Sequence, residues 1–197
     1  MTAMSDRQFL LASGSPRRKE LLQKCGVDFT VETIPVKELS DAEDIRTLPQ
    51  QNALLKASAV ADTRRGCWVL GADTMIVFEN RAIGKPADPA DAAGMLAEFS
   101  GKTHEVITGM ALICRELEVC KVWSECSTVK FKELTPQIIA GYLAEVEVSD
   151  KAGAYAIQEH GEMIVESFSG ELENIVGMPL KKLLSLLTEF AIGVKLY

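Results

Sequence analysis

Phe9-Leu-Leu-Ala-Ser13 runs directly into Ser13-Gly14-Ser15-Pro16-Arg17-Arg18, and this junction decides the fold class. The apolar run is too short for a helix and reads as a buried strand. Gly14 breaks it, and Ser15-Pro16 supplies an N-cap followed by proline at the first helical position. Arg17 to Lys24 continues as a helix with Leu21 and Leu22 turned inward, and Gly26 ends it. A strand passing through a glycine turn into a helix is α/β grammar.

The same alternation extends outward from that junction. Val27 to Ile34 reads as a strand, and Leu48 to Arg65 as a helix with Ala53, Leu54, Ala57 and Val60 along one stripe. Trp68 to Phe78 is an apolar strand interrupted by Gly71 and by Asp73-Thr74. Asp88 to Phe99 reads as a helix stopped at Gly101. Residues 104–115 and 118–131 alternate as an antiparallel pair turning near Arg115-Glu116. Thr135-Pro136 opens another capped helix, carrying Ile138, Ile139, Tyr142 and Leu143. Strand-like stretches follow at 154–158 and 162–168, and Met178-Pro179 leads into a last helix, Leu180 to Phe190. The expected class is α/β, a mixed twisted sheet with flanking helices. Residues 1–197 read as one domain, with no cut point, repeat or low-complexity linker.

Composition limits the function classes. Of 197 residues, 47% are hydrophobic and 25% charged, an ordinary globular balance. Lys and Arg number 21 against 28 Asp and Glu, a net charge of −7. That charge and a pI near 5.0 exclude binding nucleic acid through a broadly positive surface. An anionic ligand would need a local cation cluster. No apolar run reaches the roughly 18 residues of a membrane span. The first eight residues are polar, without a signal-peptide core, and the five cysteines form no framework of close pairs. The expected compartment is reducing cytoplasm.

Three segments carry chemistry. Ser13 to Arg18 aims backbone N–H groups at one point, and the helix dipole favours an anion there. Arginines in a first helical turn work against the dipole, a cost that a bound phosphate chain would reverse. The local residues fit equally a solvated basic turn with Arg18 paired to an acid. In Gly71-Ala72-Asp73-Thr74 a carboxylate interrupts an apolar strand, so it needs solvent, a partner or a cation. Lys85, in Ile83-Gly84-Lys85-Pro86, follows where a hairpin return would bring it near Asp73. A structural Asp–Lys pair and a metal carboxylate with a phosphate-contacting lysine both remain open. Ser149 to Gln158 combines small residues with Gln158, a donor and acceptor suited to a nucleobase edge or to an ordinary turn. The acidic connection Glu32 to Glu43 is mostly solvated, with Glu38 able to project inward.

Other patterns drop out. Ser100-Gly101-Lys102-Thr103 lacks the earlier glycine of a Walker loop and follows a helix instead of opening one. Cys114, Cys120 and Cys126 are spaced too widely for zinc pairs. His104 and His160 lie near no plausible nucleophile for a triad.

Together the segments resemble the Maf family of nucleoside triphosphate pyrophosphatases along nearly the whole chain. The resemblance is carried by Leu10-Leu-Ala-Ser-Gly-Ser-Pro-Arg-Arg-Lys-Glu-Leu-Leu22, Gly71-Ala-Asp-Thr74 and Gly84-Lys-Pro86. It continues through Leu96 to Gly101 with His104 and Thr108-Gly109, Asp150-Lys-Ala-Gly-Ala-Tyr-Ala-Ile-Gln158, and Asn174-Ile-Val-Gly-Met-Pro179. The departures are small, Met178 where leucine is usual and Glu173 in a variable loop.

The resemblance implies a fold like inosine triphosphate pyrophosphatase, two lobes around a cleft, and a homodimer. Arg17, Thr74 and Gln158 take the form of the relatives acting on dTTP and UTP, where those acting on 7-methyl-GTP differ. It implies metal-dependent hydrolysis of dTTP or UTP to the monophosphate and pyrophosphate. Ser13, Arg17 and Arg18 would hold the triphosphate, and Glu38 and Asp73 would bind Mg²⁺ or Mn²⁺. Asp73 would also accept the proton of the attacking water. Lys56, at the position of the family lysine, and Lys85 would neutralise developing charge, while Thr74 and Gln158 read the pyrimidine. A nucleotide-binding regulator of cell division is the alternative, and turnover of a substrate panel separates the two.

Overall fold

The computed structural model describes residues 7–193. Seven strands form one mixed sheet, ordered β2-β1-β3-β5-β6-β7, with β4 paired to β3. The strands are β1 (Phe9–Leu11), β2 (Thr30–Val31), β3 (Trp68–Phe78), β4 (Arg81–Ile83), β5 (Thr103–Cys114), β6 (Val119–Phe131) and β7 (Val165–Ser169). The helices are α1 (Pro16–Lys24), α2 (Leu48–Thr63), α3 (Pro89–Phe99), α4 (Pro136–Glu145), α5 (Leu172–Val176) and α6 (Leu180–Glu189). β1 pairs parallel with β2 and β3, whereas β3–β4 and β6–β7 are antiparallel. The mixed α/β class expected from the sequence is the one observed.

Two compact units divide the chain. The first holds the described chain through Thr74, Thr108–Glu125, and the chain from Gly177 onward; the second holds Met75–Ile107 and Cys126–Val176. In the first unit the buried core gathers Leu10, Ala12, Ala53, Ala57, Val60, Ala61, Val69, Ala111 and Ile113. Small residues dominate α2's share of this core, and the reason lies in the strands beneath it. A Cβ added at Gly71 of β3 would collide with the carbonyl oxygen of Ala53 and lie 2.8 Å from the Ala57 Cβ. One added at Gly109 of β5 would collide with the backbone of Pro49 and Gln50. Two glycines therefore let α2 lie directly on the strand backbones.

The second unit packs Ile76, Phe78, Leu96, Phe99, Val129, Phe131, Ile139 and Tyr142. His104 is sealed within it at 2% exposure. It stacks on Phe99 at 4.6 Å and shares a 2.7 Å hydrogen bond with the Tyr155 hydroxyl. Its Nδ1 has no hydrogen-bond partner among the described residues. Burial accordingly lowers its pKa from 6.5 to about 4.

Several expected elements change in form. The strand expected over 27–34 shrinks to Thr30–Val31, because its partner β1 is only three residues long. No strand forms at 154–158. Gly153 and Ala154 both take positive φ, and the Tyr142 hydroxyl satisfies the Ala156 backbone, accepting from its N–H at 2.9 Å. The stretch 162–168 splits into a 3₁₀ turn, Gly161–Met163, and β7. Asn174, expected in a turn, lies in α5 and donates to the Val106 carbonyl and the Ser127 hydroxyl, both at 2.9 Å. Thr135 caps α4 through Ile138 as expected, but Ser15 makes no side-chain cap on α1.

Two outcomes are expected. Gly71→Ala and Gly109→Ala each lower stability in urea by about 3 kcal/mol, since backbone atoms stand in the way and cannot rotate aside. The second outcome concerns pH. The folded state holds His104 neutral well below its unfolded pKa, so unfolding takes up a proton in that window. Stability is complete above about pH 6.5 and falls as pH drops toward 4, by up to about 3 kcal/mol. In urea titrations across this range, His104→Gln flattens the slope.

Candidate active site

In the first unit, β1 ends beneath the turn that opens α1. Ser13 is buried there, and its hydroxyl accepts from Arg18 Nη1 at 3.0 Å and from the Ser15 N–H at 3.4 Å. No acidic residue occupies the first turn of α1, so its positive end is left without a carboxylate neighbour on the helix itself. Arg17 stands in that turn, half-buried.

Arg18 turns into the protein. Its Nε donates to the Gly177 carbonyl at 2.9 Å, and Nη1 donates to the Ala72 carbonyl at 3.0 Å as well as to Ser13. Nη2 donates to the Thr74 hydroxyl at 2.8 Å. Four of the five guanidinium N–H groups thus find neutral protein oxygens. Of the two readings the sequence leaves open for this turn, the one that pairs Arg18 with an acid is not what forms; neutral oxygens take its N–H groups instead. Burial pulls the guanidinium pKa down to about 10, with the nearby Asp73 charge opposing the fall, so it stays charged at neutral pH.

β3 presents consecutive residues to opposite faces. Gly71 and Asp73 face α2, while Thr74 faces Arg18 and the buried Thr108 hydroxyl, 3.0 Å away. Asp73 Oδ1 takes an ion pair from Lys56 Nζ at 2.7 Å, and the same ammonium reaches Glu38 Oε1 at 2.9 Å. The Lys56 and Asp73 side chains are 19% and 16% exposed, so water screens this contact only in part. A structural pair of Asp73 with Lys85, one of the two readings the sequence leaves open, is not formed. The β3–β4 pairing stops at Ile83, and Lys85 beyond it is exposed.

Asn52, one helical turn before Lys56, is a site residue that the sequence alone did not single out. It is buried, its side chain bonds both backbone groups of Leu39, and its Nδ2 lies 3.5 Å from Asp73 Oδ2. A signal was present: positions i and i+4 share a helix face, so Asn52 lies on the same face as Lys56, beside the small apolar stripe of Ala53, Ala57 and Val60.

The first unit therefore joins Ser13, Arg18 and Thr74 in one set of contacts, with Arg17 beside Arg18 in the chain, and Glu38, Lys56 and Asp73 in another. Lys85 and Gln158 belong to the second unit, where both are exposed, Gln158 in the turn after Ala156. Chemically, the first unit offers two convergent carboxylates, one bridging ammonium and an uncapped cationic helix start. Two carboxylates around a single cation suit a hard divalent ion, which often takes one or two protein carboxylates and completes its shell with phosphate oxygens and water. Among the described residues no group of three or more Asp, Glu, His or Cys could hold a metal by itself.

The family model described as "Maf-like protein" matches residues 8–190. A dTTP/UTP pyrophosphatase of Bacillus cereus is 43% identical over 189 residues, covering 95% of this chain and 98% of the relative. A dTTP/UTP pyrophosphatase of Bacillus cytotoxicus is 44% identical over 192 residues, with 95% and 97% covered. Among solved structures, the Ham1 protein of Staphylococcus aureus aligns with a TM-score of 0.48 at 14% identity, over 64% of this chain and 73% of that one. With a family model running from Gln8 to Phe190 and such identity over nearly full length, the chain belongs to the Maf family.

Proposed function

We propose that this chain is a nucleoside triphosphate pyrophosphatase that hydrolyses dTTP and UTP to the monophosphate and pyrophosphate. The observation that carries the reading is the Glu38–Lys56–Asp73 cluster, set on the strand residue next to Thr74 and hence next to the arginine turn. Relatives of the same length bearing that enzyme name support the choice of substrate.

In this reading Ser13, Arg17 and the first-turn amides of α1 take the triphosphate. Arg18 adds its charge from beneath. Glu38 and Asp73 hold Mg²⁺ or Mn²⁺, and both are oxygen ligands of the kind such ions prefer. Bound there, the ion supplies Lewis-acid stabilisation of phosphate charge and acidifies water. Asp73 accepts the proton of the water that attacks the α-phosphorus. Lys56, whose ammonium pairs with both carboxylates, would neutralise charge developing on the phosphates. Lys85 does the same for the departing pyrophosphate. Thr74 and Gln158 read the pyrimidine.

The hydroxyl of Thr74 already accepts from Arg18 and meets Thr108. Its contribution to the base is therefore one of shape and a remaining lone pair. We place the enzyme in the cytoplasm as a homodimer acting on free nucleotide, with neither nucleic acid nor membrane as partner. The acidic balance of the chain speaks against nucleic acid as partner, and among the described residues no helix is long and apolar enough to cross a membrane.

Pyrophosphate release from dTTP, UTP, CTP and 7-methyl-GTP with Mg²⁺ tests the reading. Turnover of dTTP and UTP is expected, with loss of activity on chelation by EDTA. Asp73→Asn lowers kcat by about 1,000-fold or more while leaving the melting temperature near wild type. Near-wild-type turnover by that variant would remove Asp73 from the role of base, and inactivity on both pyrimidine nucleotides would overturn the substrate assignment.

A further inference from the structure

Glu38 lies in a stretch with no regular secondary structure, running from Glu32 to Ala42. Neither a strand ladder nor a helix fixes it. Burial fixes it little, since Leu39 beside it is 43% exposed. Among the described residues, the hydrogen bonds and ion pairs of residues 33–43 run to two side chains of α2, Lys56 and Asn52. Lys56 binds the Glu38 carboxylate itself. Asn52 grips the backbone one residue later. Its Oδ1 accepts from the Leu39 N–H at 2.7 Å, and its Nδ2 donates to the Leu39 carbonyl at 3.1 Å.

A side-chain amide is one of few groups that can meet both backbone groups of a single residue, as a neighbouring β-strand would. Asn52 is itself only 4% exposed, so its amide is desolvated and committed to these bonds. Nδ2 also stands 3.5 Å from Asp73 Oδ2, whereas Lys56 holds the other oxygen of that carboxylate. One side chain thus touches the backbone next to Glu38 and faces the other carboxylate of the cluster.

We infer that Asn52 is a positioning residue that holds the Glu38 segment over α2, so that the carboxylates of Glu38 and Asp73 converge on one cation. It acts on Glu38 through Leu39, and its Nδ2 also meets Asp73 Oδ2 at 3.5 Å. The inference rests on the proposed metal-dependent reaction for its consequence, but not for its geometry. Asparagine is a weaker helix former than leucine or alanine, so helix stability alone does not select it at this buried position. Losing it should not unfold the chain, because the Leu39 backbone groups sit on a solvated segment where water can replace the amide.

Three readouts on the full-length protein test this. Hydrogen exchange follows the Leu39 amide without any ligand. Electron paramagnetic resonance titration of Mn²⁺ measures metal binding without substrate. Steady-state kinetics on dTTP separate kcat from KM. In Asn52→Ala and Asn52→Leu, the Leu39 amide should exchange at least about tenfold faster while α2 and β3 amides keep their protection. Mn²⁺ affinity should weaken about tenfold, the scale on which groups orienting a metal ligand act. Kinetically, kcat should fall at saturating dTTP with little change in KM, and raising Mn²⁺ should restore part of it.

Leu39→Ala keeps both backbone bonds and should behave as wild type in all three. Asn52→Leu fills the buried site with a good helix former, so it guards against loss of fold in the alanine variant. Unchanged exchange at Leu39, or unchanged Mn²⁺ affinity in both Asn52 variants, would overturn the inference. A wild-type chain inactive on dTTP and UTP would instead strike the proposed function, and the exchange and Mn²⁺ titrations would still decide this point.

Discussion

One ammonium group, Lys56 Nζ, stands between two carboxylates that would otherwise repel each other, and the site is arranged around it. Its worth is not mainly stability. A partly buried ion pair gives up hydration on both sides, and the Coulomb gain returns about as much as desolvation takes. What such a cluster does supply is a fixed convergence of opposite charges at a place where an apolar strand would be more stable. Asp73 opens a partly buried stretch, Asp73 to Met75, between five buried residues of β3 and three more.

The convergence depends on how near α2 lies to the sheet. Gly71 and Asp73 share one face of β3, and Gly71 is where the backbone of Ala53 and Ala57 comes closest. Ala57 follows Lys56 in the chain, so the same contact that seats the helix sets the reach of the lysine. Gly109 repeats the arrangement on β5 under Pro49 and Gln50. Any side chain at these two positions would lift the helix and lengthen the Lys56–Asp73 contact. The core and the site are thus one construction: small residues in α2 and glycines in the strands bring charges together that neither element could align alone.

Elements with strong local grammar were legible in the sequence. Proline after a cap marks the starts of α1, α3 and α4, the helical stripe marks α2, and the apolar run gives β3 its observed limits. Ser13, Arg18 and Asp73 were legible for a related reason, as polar groups in places where apolar or acidic ones are the rule. What failed was long-range. The stretch 154–158 has strand composition, but its backbone is satisfied by the hydroxyl of Tyr142, fourteen residues before Ala156. A pairing of Asp73 with Lys85, one of two readings open in the sequence, rests on closeness along the chain beyond a hairpin, whereas Lys56 reaches Asp73 from a helix. Asn52 shares a helix face with Lys56, but the loop it grips has no periodicity to announce the contact.

The arginine pair shows how a chain of net charge −7 can meet a polyanion. Arg18 commits most of its N–H groups to Ser13, Ala72, Thr74 and Gly177, so it fixes the turn, the strand beside Asp73 and the Gly177 loop relative to one another. Its charge remains, joined to that of Arg17 at the start of α1. Around β3, three cations then stand against two carboxylates, a small positive surplus for a triphosphate bearing several negative charges. Screening at physiological salt confines the field to roughly a Debye length, about 8 Å, so acids elsewhere on the surface weaken this surplus little. They also cannot be relieved by it. Within that field the carboxylates of Glu38 and Asp73 are held together by the Lys56 ammonium, and the Glu38 segment also by Asn52 through the Leu39 backbone.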